Sequence, residues 1–243
     1  MSDAIFYAVG VGPGDPELLT VRAVRILGGC DVLCFPETET GGGARHLAYD
    51  AVRGAVSLRG KETLFFPVPM TRKREQARAV YEQIAARCAE FLRQGRSVAF
   101  VSLGDVSLYA TAAHIAERVR AAGFETRFVA GVHAFSAAAC TAAVSLCARD
   151  KGAAIIPADA YFVAGKLEPA LRADGTKILM KAARHLRDIL ELIDGCGLLA
   201  DTVLVQRASL AGQRVISGEE LRAVDDDVFA DAYLSVVIVG GKR

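Results

Sequence analysis

The stretch GVGPGDPELLT, residues 10–20, follows an apolar alternating run at 5–9 and reads as a strand, a glycine turn and a helix start. Gly10, Gly12 and Gly14 let the backbone turn tightly and approach a neighbouring group closely. Asp15 suits the N-cap and Pro16 the first helical position, and Glu17 adds negative charge where the helix dipole favours it. A phosphate cradle needs a bare, positive helix N-terminus, and here Asp15 stands where the anion would lie. The turn is therefore expected to face something other than a phosphate. Its spacing also departs from the dinucleotide fingerprint, because glycines at 10, 12 and 14 do not make GxGxxG and Pro13 interrupts the turn.

Outward from this turn, strands and helices alternate. Strands are expected at 5–9, 31–35, 63–66, 97–101 and 125–129, with a glycine-rich loop at 37–44. Helices are expected at 16–27, 72–93, 112–122 and 134–144. The helix at 72–93 is the clearest, since Ala77, Val80, Ile84, Cys88 and Phe91 recur along one face. The pattern breaks at 149–157, taken as a junction between domains 1–150 and 151–243. Beyond it, strands are expected at 161–163, 177–180, 203–206, 214–217 and 234–239, and a helix at 185–193. The expectation is an α/β protein of two α/β domains, with a mostly parallel sheet in the first.

The 243 residues are 52% hydrophobic and 23% charged, enough to bury an ample core. A net charge of +1 gives no general attraction to nucleic acid or to an anionic membrane. The longest weakly apolar run, 134–148, is too short to span a bilayer. The six cysteines show neither CxxC nor zinc spacing, so no protein-bound metal is expected. Reduced core thiols, and an N-terminus MSDAIF without signal-peptide character, point to a cytoplasmic protein.

Three glycine turns follow strands: GVGPGD at 10–15, LGDVSLY at 103–109 and GVHAFS at 131–136. In an open parallel sheet, ligands bind beyond the carboxyl ends of the strands, so these turns can line one rim. Asp15 and Asp105, each an ordinary cap or turn residue when taken singly, together favour a cationic ligand or one offering hydroxyl and amino donors. No Ser-His-Asp or Cys-His nucleophile motif is present.

The segments GVGPGDPELLT, LGDVSLYAT (103–111), GVHAFSAAA (131–139) and LVQRAS (204–209) resemble the tetrapyrrole (corrin and porphyrin) methyltransferase family over essentially the whole chain. FPVPM (66–70), LMK (179–181) and RASLAGQRV (207–215) are most similar to the branch that methylates C20 of precorrin-2 or cobalt-factor II in cobalamin (vitamin B12) biosynthesis. The resemblance implies a homodimeric enzyme that binds S-adenosylmethionine in a cleft between its two domains and releases S-adenosylhomocysteine. It implies cofactor contacts at Pro13, Leu103, Gly104, Asp105, His133, Ala134, Met180 and Ala208, several through backbone groups. Asp105 is also the candidate for a polar role near the reacting atoms. Two residues depart from the family pattern: Val106 replaces a proline, and His133 replaces a small hydroxyl residue. Arg45, Arg72, Lys73, Arg74, Lys181, Arg184 and Arg207 are candidates for the carboxylates of a tetrapyrrole substrate. Methylation at another tetrapyrrole position is the alternative. A nucleotide-dependent oxidoreductase, with Glu37 as the acid about 20 residues past the turn, and a non-catalytic ligand carrier are further ones.

Overall fold

The computed structural model describes residues 4–40, 43–68, 74–147 and 150–241; side chains at 38–40, 43–45 and 74 lie outside the description. The chain divides into two units, Met1–His133 and Ala134–Arg243. This division falls earlier than the junction expected at 149–157, because the helix after His133 packs on strands of the second unit.

In the first unit the strands are β1 (Phe6–Gly10), β2 (Val32–Thr40), β3 (Gly43–Arg45), β4 (Glu62–Pro67), β5 (Val98–Ser102) and β6 (Thr126–Val129). The helices are α1 (Val21–Gly29), α2 (Leu47–Ala55), α3 (Arg74–Arg93) and α4 (Thr111–Ala121). β4, β2, β5, β1 and β6 run parallel in that order, and β3 folds back antiparallel on the end of β2. Strand alternation sorts the side chains onto two faces. Phe6, Ala8, Val32, Cys34, Val98 and Phe100 meet Ile84, Cys88 and Phe91 of α3 and Ile115 and Val119 of α4. Val9, Leu33, Phe35, Ala99 and Val101 meet Ala23 and Leu27 of α1 and Ala48, Ala51 and Val52 of α2. Both faces of the sheet are thus covered, the arrangement that parallel strands require.

The second unit comprises α5 (Ala134–Thr141), β7 (Ala153–Pro157), α6 (Ala158–Val163), α7 (Leu167–Arg172), β8 (Thr176–Met180), α8 (Leu186–Gly195), β9 (Thr202–Gln206), β10 (Arg214–Ser217), α9 (Asp226–Ala230) and β11 (Ser235–Val239). Its sheet has the order β10-β9-β11-β8-β7. β7 and β8 are parallel, while β11 lies antiparallel between β8 and β9. Helix α5 packs on β9 and β11.

Several expected elements are corrected. The strand expected at 161–163 is the end of α6, where Tyr161 and Phe162 pack on the second core; burial there overrides the β propensity of the aromatics. The strand instead occupies 153–157, inside the expected junction, where Ile155 and Ile156 pair with Ile178 and Leu179. Of the loop expected at 37–44, residues 37–40 continue β2 and 43–44 belong to β3, which pairs antiparallel with it, while 41–42 lie outside the described residues. The helix expected at 16–27 is a 3₁₀ turn at Pro16–Leu18, followed by α1 with Thr20 as its cap. Among the described residues, no helix is long and apolar enough to cross a membrane.

Candidate functional site

The carboxyl ends of β5, β1 and β6 converge through glycine backbones. Gly12 and Gly104 exchange two backbone hydrogen bonds, the Gly12 amide donating to the Gly104 carbonyl at 3.1 Å and the Gly104 amide to the Gly12 carbonyl at 2.7 Å. A Cβ on Gly10 would lie 2.7 Å from the Gly104 carbonyl oxygen and 2.9 Å from the Gly131 nitrogen, so glycine here permits backbone to touch backbone. The side-chain oxygen of Thr20 accepts from the Ala23 amide at 3.1 Å, capping α1, and its hydroxyl donates to the Ala130 carbonyl at 3.2 Å. Asp15 accepts from the Glu17 amide at 2.9 Å, so its side chain does cap the turn after β1.

Asp105 joins the second and third turns. Its Oδ2 accepts from the Gly131 amide at 2.7 Å. Its Oδ1 accepts from the Ser107 amide at 2.8 Å and from the Ser107 hydroxyl. His133 Nε2 lies 4.0 Å from the same Oδ1. Burial is the largest influence on this carboxyl and pushes its pKa up, yet the bonds from Ser107 and Gly131, with the nearby His133, outweigh it and hold the net value below the ordinary aspartate range. The result is an ionised carboxylate, 7% exposed, whose oxygens hold two turns in register. The segments 10–15, 103–109 and 130–134 carry neither lysine nor arginine. Such a rim is negative, which suits a cationic ligand and opposes a pyrophosphate.

The other residues expected at the cofactor divide between the units. In the first, Pro13 and Gly104 are buried and Leu103 and His133 half-buried at the joined turns. In the second, Ala134 opens α5, and Met180 ends β8. Ala208 is buried two residues beyond β9. β8 and β9 flank β11 and end at the same edge of the sheet, with Leu179 and Leu204 both level with Val237. Two strand spacings, about 10 Å, separate them. Lys181 and Arg207, the residues that leave these strands, take left-handed backbone conformations with φ of 56° and 51°.

The expected substrate-binding cations fare differently. Arg72 and Lys73 lie outside the described residues, Arg45 ends β3 and Arg74 opens α3. Lys181 and Arg184 are exposed. Desolvation lowers the Lys181 pKa. The Arg207 guanidinium is engaged within its own unit, donating to Asp231 at 3.1 Å and to the Ala211 carbonyl at 2.9 Å. Sequence reasoning missed Ser107 and Thr20, whose hydroxyls fasten the turns. The spacing of Ser107 two residues after Asp105 is the signature of an Asx turn and could have revealed the first. Among the described residues, no group of three or more histidine, cysteine or acidic side chains could hold a metal ion.

The family profile of the Tetrapyrrole (Corrin/Porphyrin) Methylases matches residues 6–222. The chain belongs to this family. The cobalt-precorrin-2 C(20)-methyltransferase of Salmonella typhimurium is 31% identical over 221 residues, covering 91% of this chain and 90% of that protein. The cobalamin biosynthesis protein CobIJ of Mycobacterium tuberculosis is 32% identical over 98% of this chain; the chain spans about half of that relative's length, 46%. A uroporphyrin-III C-methyltransferase of Thermus thermophilus, solved in complex with S-adenosylhomocysteine, superposes with a TM-score of 0.62 at 19% identity, over 98% of this chain and 97% of that one. That likeness concerns the fold. Membership among the tetrapyrrole methylases displaces the oxidoreductase alternative, in keeping with a rim unsuited to pyrophosphate.

Proposed function

We propose that this tetrapyrrole methylase is an S-adenosylmethionine-dependent C-methyltransferase that methylates C20 of precorrin-2 or cobalt-factor II in cobalamin biosynthesis. The observation that carries this reading is the 31% identity, along nearly the full length of both chains, with the Salmonella C20-methyltransferase. The rim supports it: three turns fastened around an ionised carboxylate, without lysine or arginine, offer a sulfonium favourable electrostatics. S-adenosylmethionine supplies an electrophilic methyl group on positive sulfur. The turn residues Pro13, Leu103, Gly104 and His133, with Ala134, Met180 and Ala208, would hold it largely through backbone groups. Asp105 contributes by keeping the turns rigid and the rim negative. Alignment of methyl and acceptor carbon at near-attack distance then provides much of the acceleration without a covalent nucleophile. Lys181 and Arg184 remain candidate partners for substrate carboxylates. We further propose a cytoplasmic homodimer, which sizing chromatography and cell fractionation test.

The deciding experiment is anaerobic incubation with precorrin-2 and with cobalt-factor II separately, each with S-adenosylmethionine, followed by mass and NMR assignment of the added methyl. A C20-methylated product is expected. A methyl found elsewhere on the ring would favour the second reading, a methyltransferase of this family acting at another position; absence of S-adenosylmethionine binding would refute both.

A further inference from the structure

Two unfavourable backbone conformations flank one residue of the turn after β9. Arg207 and Ser209 are both left-handed, with φ of 51° and 64°, a region that residues with a Cβ disfavour. Ala208, an expected cofactor contact, lies between them and is 8% exposed. Among the described residues, neither its N–H nor its C=O makes a hydrogen bond within the protein. Buried backbone groups are nearly always paired, so a buried turn residue that keeps both groups out of the protein's own bonds offers them to a ligand.

Different groups hold the two flanks. The Arg207 amide donates to the Leu234 carbonyl at 3.0 Å, its carbonyl accepts from the Leu210 amide at 2.9 Å, and its guanidinium is committed to Asp231 and the Ala211 carbonyl. Ser209 makes one hydrogen bond among the described residues, its amide donating to Gln213 Oε1 at 2.8 Å. The same Oε1 accepts from the Thr141 hydroxyl at 3.5 Å, which ties the turn to the end of α5, the helix that Ala134 opens. Gln213 itself is exposed, so its side chain adds little to global stability. Without its oxygen, Ser209 would relax toward negative φ and carry the backbone of Ala208 with it.

We propose that Gln213 is a positioning residue for S-adenosylmethionine: its side-chain oxygen fixes Ser209 in the left-handed conformation and so aims the backbone groups of Ala208 at the cofactor. The proposal rests on the methyltransferase reading above, and it gives Arg207 the matching task on the other flank of the turn. Gln213 acts through Ser209 and Ala208. Loss of its bond lets the turn populate conformations that do not bind, and the apparent affinity falls with the fraction of turns still competent.

The test compares Gln213→Met, which keeps the length and removes the acceptor, with Gln213→Glu, which keeps an acceptor oxygen. Calorimetric titration with S-adenosylmethionine reads affinity, urea unfolding reads global stability, and steady-state turnover of precorrin-2 or cobalt-factor II separates KM from kcat. In Gln213→Met the affinity should fall about 3- to 10-fold and KM for S-adenosylmethionine rise to match, with kcat and the urea midpoint close to wild type. Gln213→Glu should keep most of the affinity. Adding Ser209→Gly to Gln213→Met should restore part of it, because glycine takes positive φ without steric cost. Gln213→Ala makes the same test should Gln213→Met fold poorly. Wild-type affinity in Gln213→Met overturns the proposal, as does equal weakening by the Met and Glu variants or an effect confined to the urea midpoint. Wild-type protein that binds no S-adenosylmethionine overturns the methyltransferase reading and the proposal together, whereas wild-type binding with an indifferent Gln213 overturns the proposal alone.

Discussion

Replacing Asp105 with asparagine isolates the clamp between the second and third turns. The side chain keeps its shape, and its Oδ1 can still accept from the Ser107 amide and hydroxyl. The new NH₂ group, however, faces the Gly131 amide across 2.7 Å, a donor against a donor. The variant loses a hydrogen bond to a charged acceptor, worth about 1.5–3 kcal/mol, and leaves a backbone N–H poorly satisfied. The expected loss is about 2–4 kcal/mol at neutral pH, measured as a shift in the urea midpoint with an unchanged slope. The pH dependence has a definite sign. The folded pKa is depressed below the ordinary aspartate value of 3.8, so the carboxylate's contribution is complete above that value and is lost as pH falls through the folded pKa. The gap between wild type and Asp105→Asn should therefore be constant from neutrality down to about pH 5 and narrow below pH 4, where the wild-type carboxyl takes up a proton and can no longer act as a charged acceptor. A difference under about 1 kcal/mol at pH 7, or a gap that widens in acid, would refute the clamp.

Gly131→Ala would drive a Cβ to 2.7 Å from the Gly10 carbonyl carbon, so a loss of about 3 kcal/mol or more and weakened S-adenosylmethionine binding by calorimetry are expected. Gly28→Ala, within α1 and with nothing within 4 Å of the added Cβ, should instead raise the melting temperature, by up to about 1 kcal/mol of stability. Gln206 is 1% exposed and donates to the Val228 carbonyl at 2.9 Å, the Asp231 carbonyl at 3.3 Å and the Ser235 hydroxyl at 2.9 Å, so Gln206→Leu should cost about 2–4 kcal/mol in chemical denaturation. Burial pushes the Cys30 thiol up to about 12, and a hydrogen bond with Cys88 together with burial raises Cys34. Maleimide should thus label exposed Cys140 and Cys147 in the native protein, and Cys30, Cys34 and Cys88 only after unfolding, as peptide mapping would show.

The parallel first sheet was legible because its strands are short apolar runs bounded by turn residues: Phe6 and Ala8 face one helical layer, Val9 and Val11 the other, and a strand covered on both faces is apolar on both. The long helix was legible through Ile84, Cys88 and Phe91, which all reach the core. The second unit was harder to read. Tyr161 and Phe162 have strand propensity, yet packing on the second core makes them helical, and Ala153–Pro157 becomes a strand because β8 offers it a partner distant in sequence. Lys181 and Arg207 adopt left-handed conformations that no propensity scale assigns to basic residues.

For the opening turn, residue chemistry settled the local questions: where the chain bends, and that Asp15 caps the 3₁₀ turn beginning at Pro16. Those are properties of neighbours in sequence, set by steric freedom and short-range charge. Which turns touch, and what Asp105 holds, depended on the third dimension. Gly10, Gly104 and Gly131 meet because β5, β1 and β6 lie side by side in an order that the chain does not follow. The Asp105 carboxylate, as open to solvent as to a ligand when read along the chain, is committed to the Ser107 and Gly131 amides because sheet pairing brings residue 131 to within hydrogen-bonding distance of residue 105.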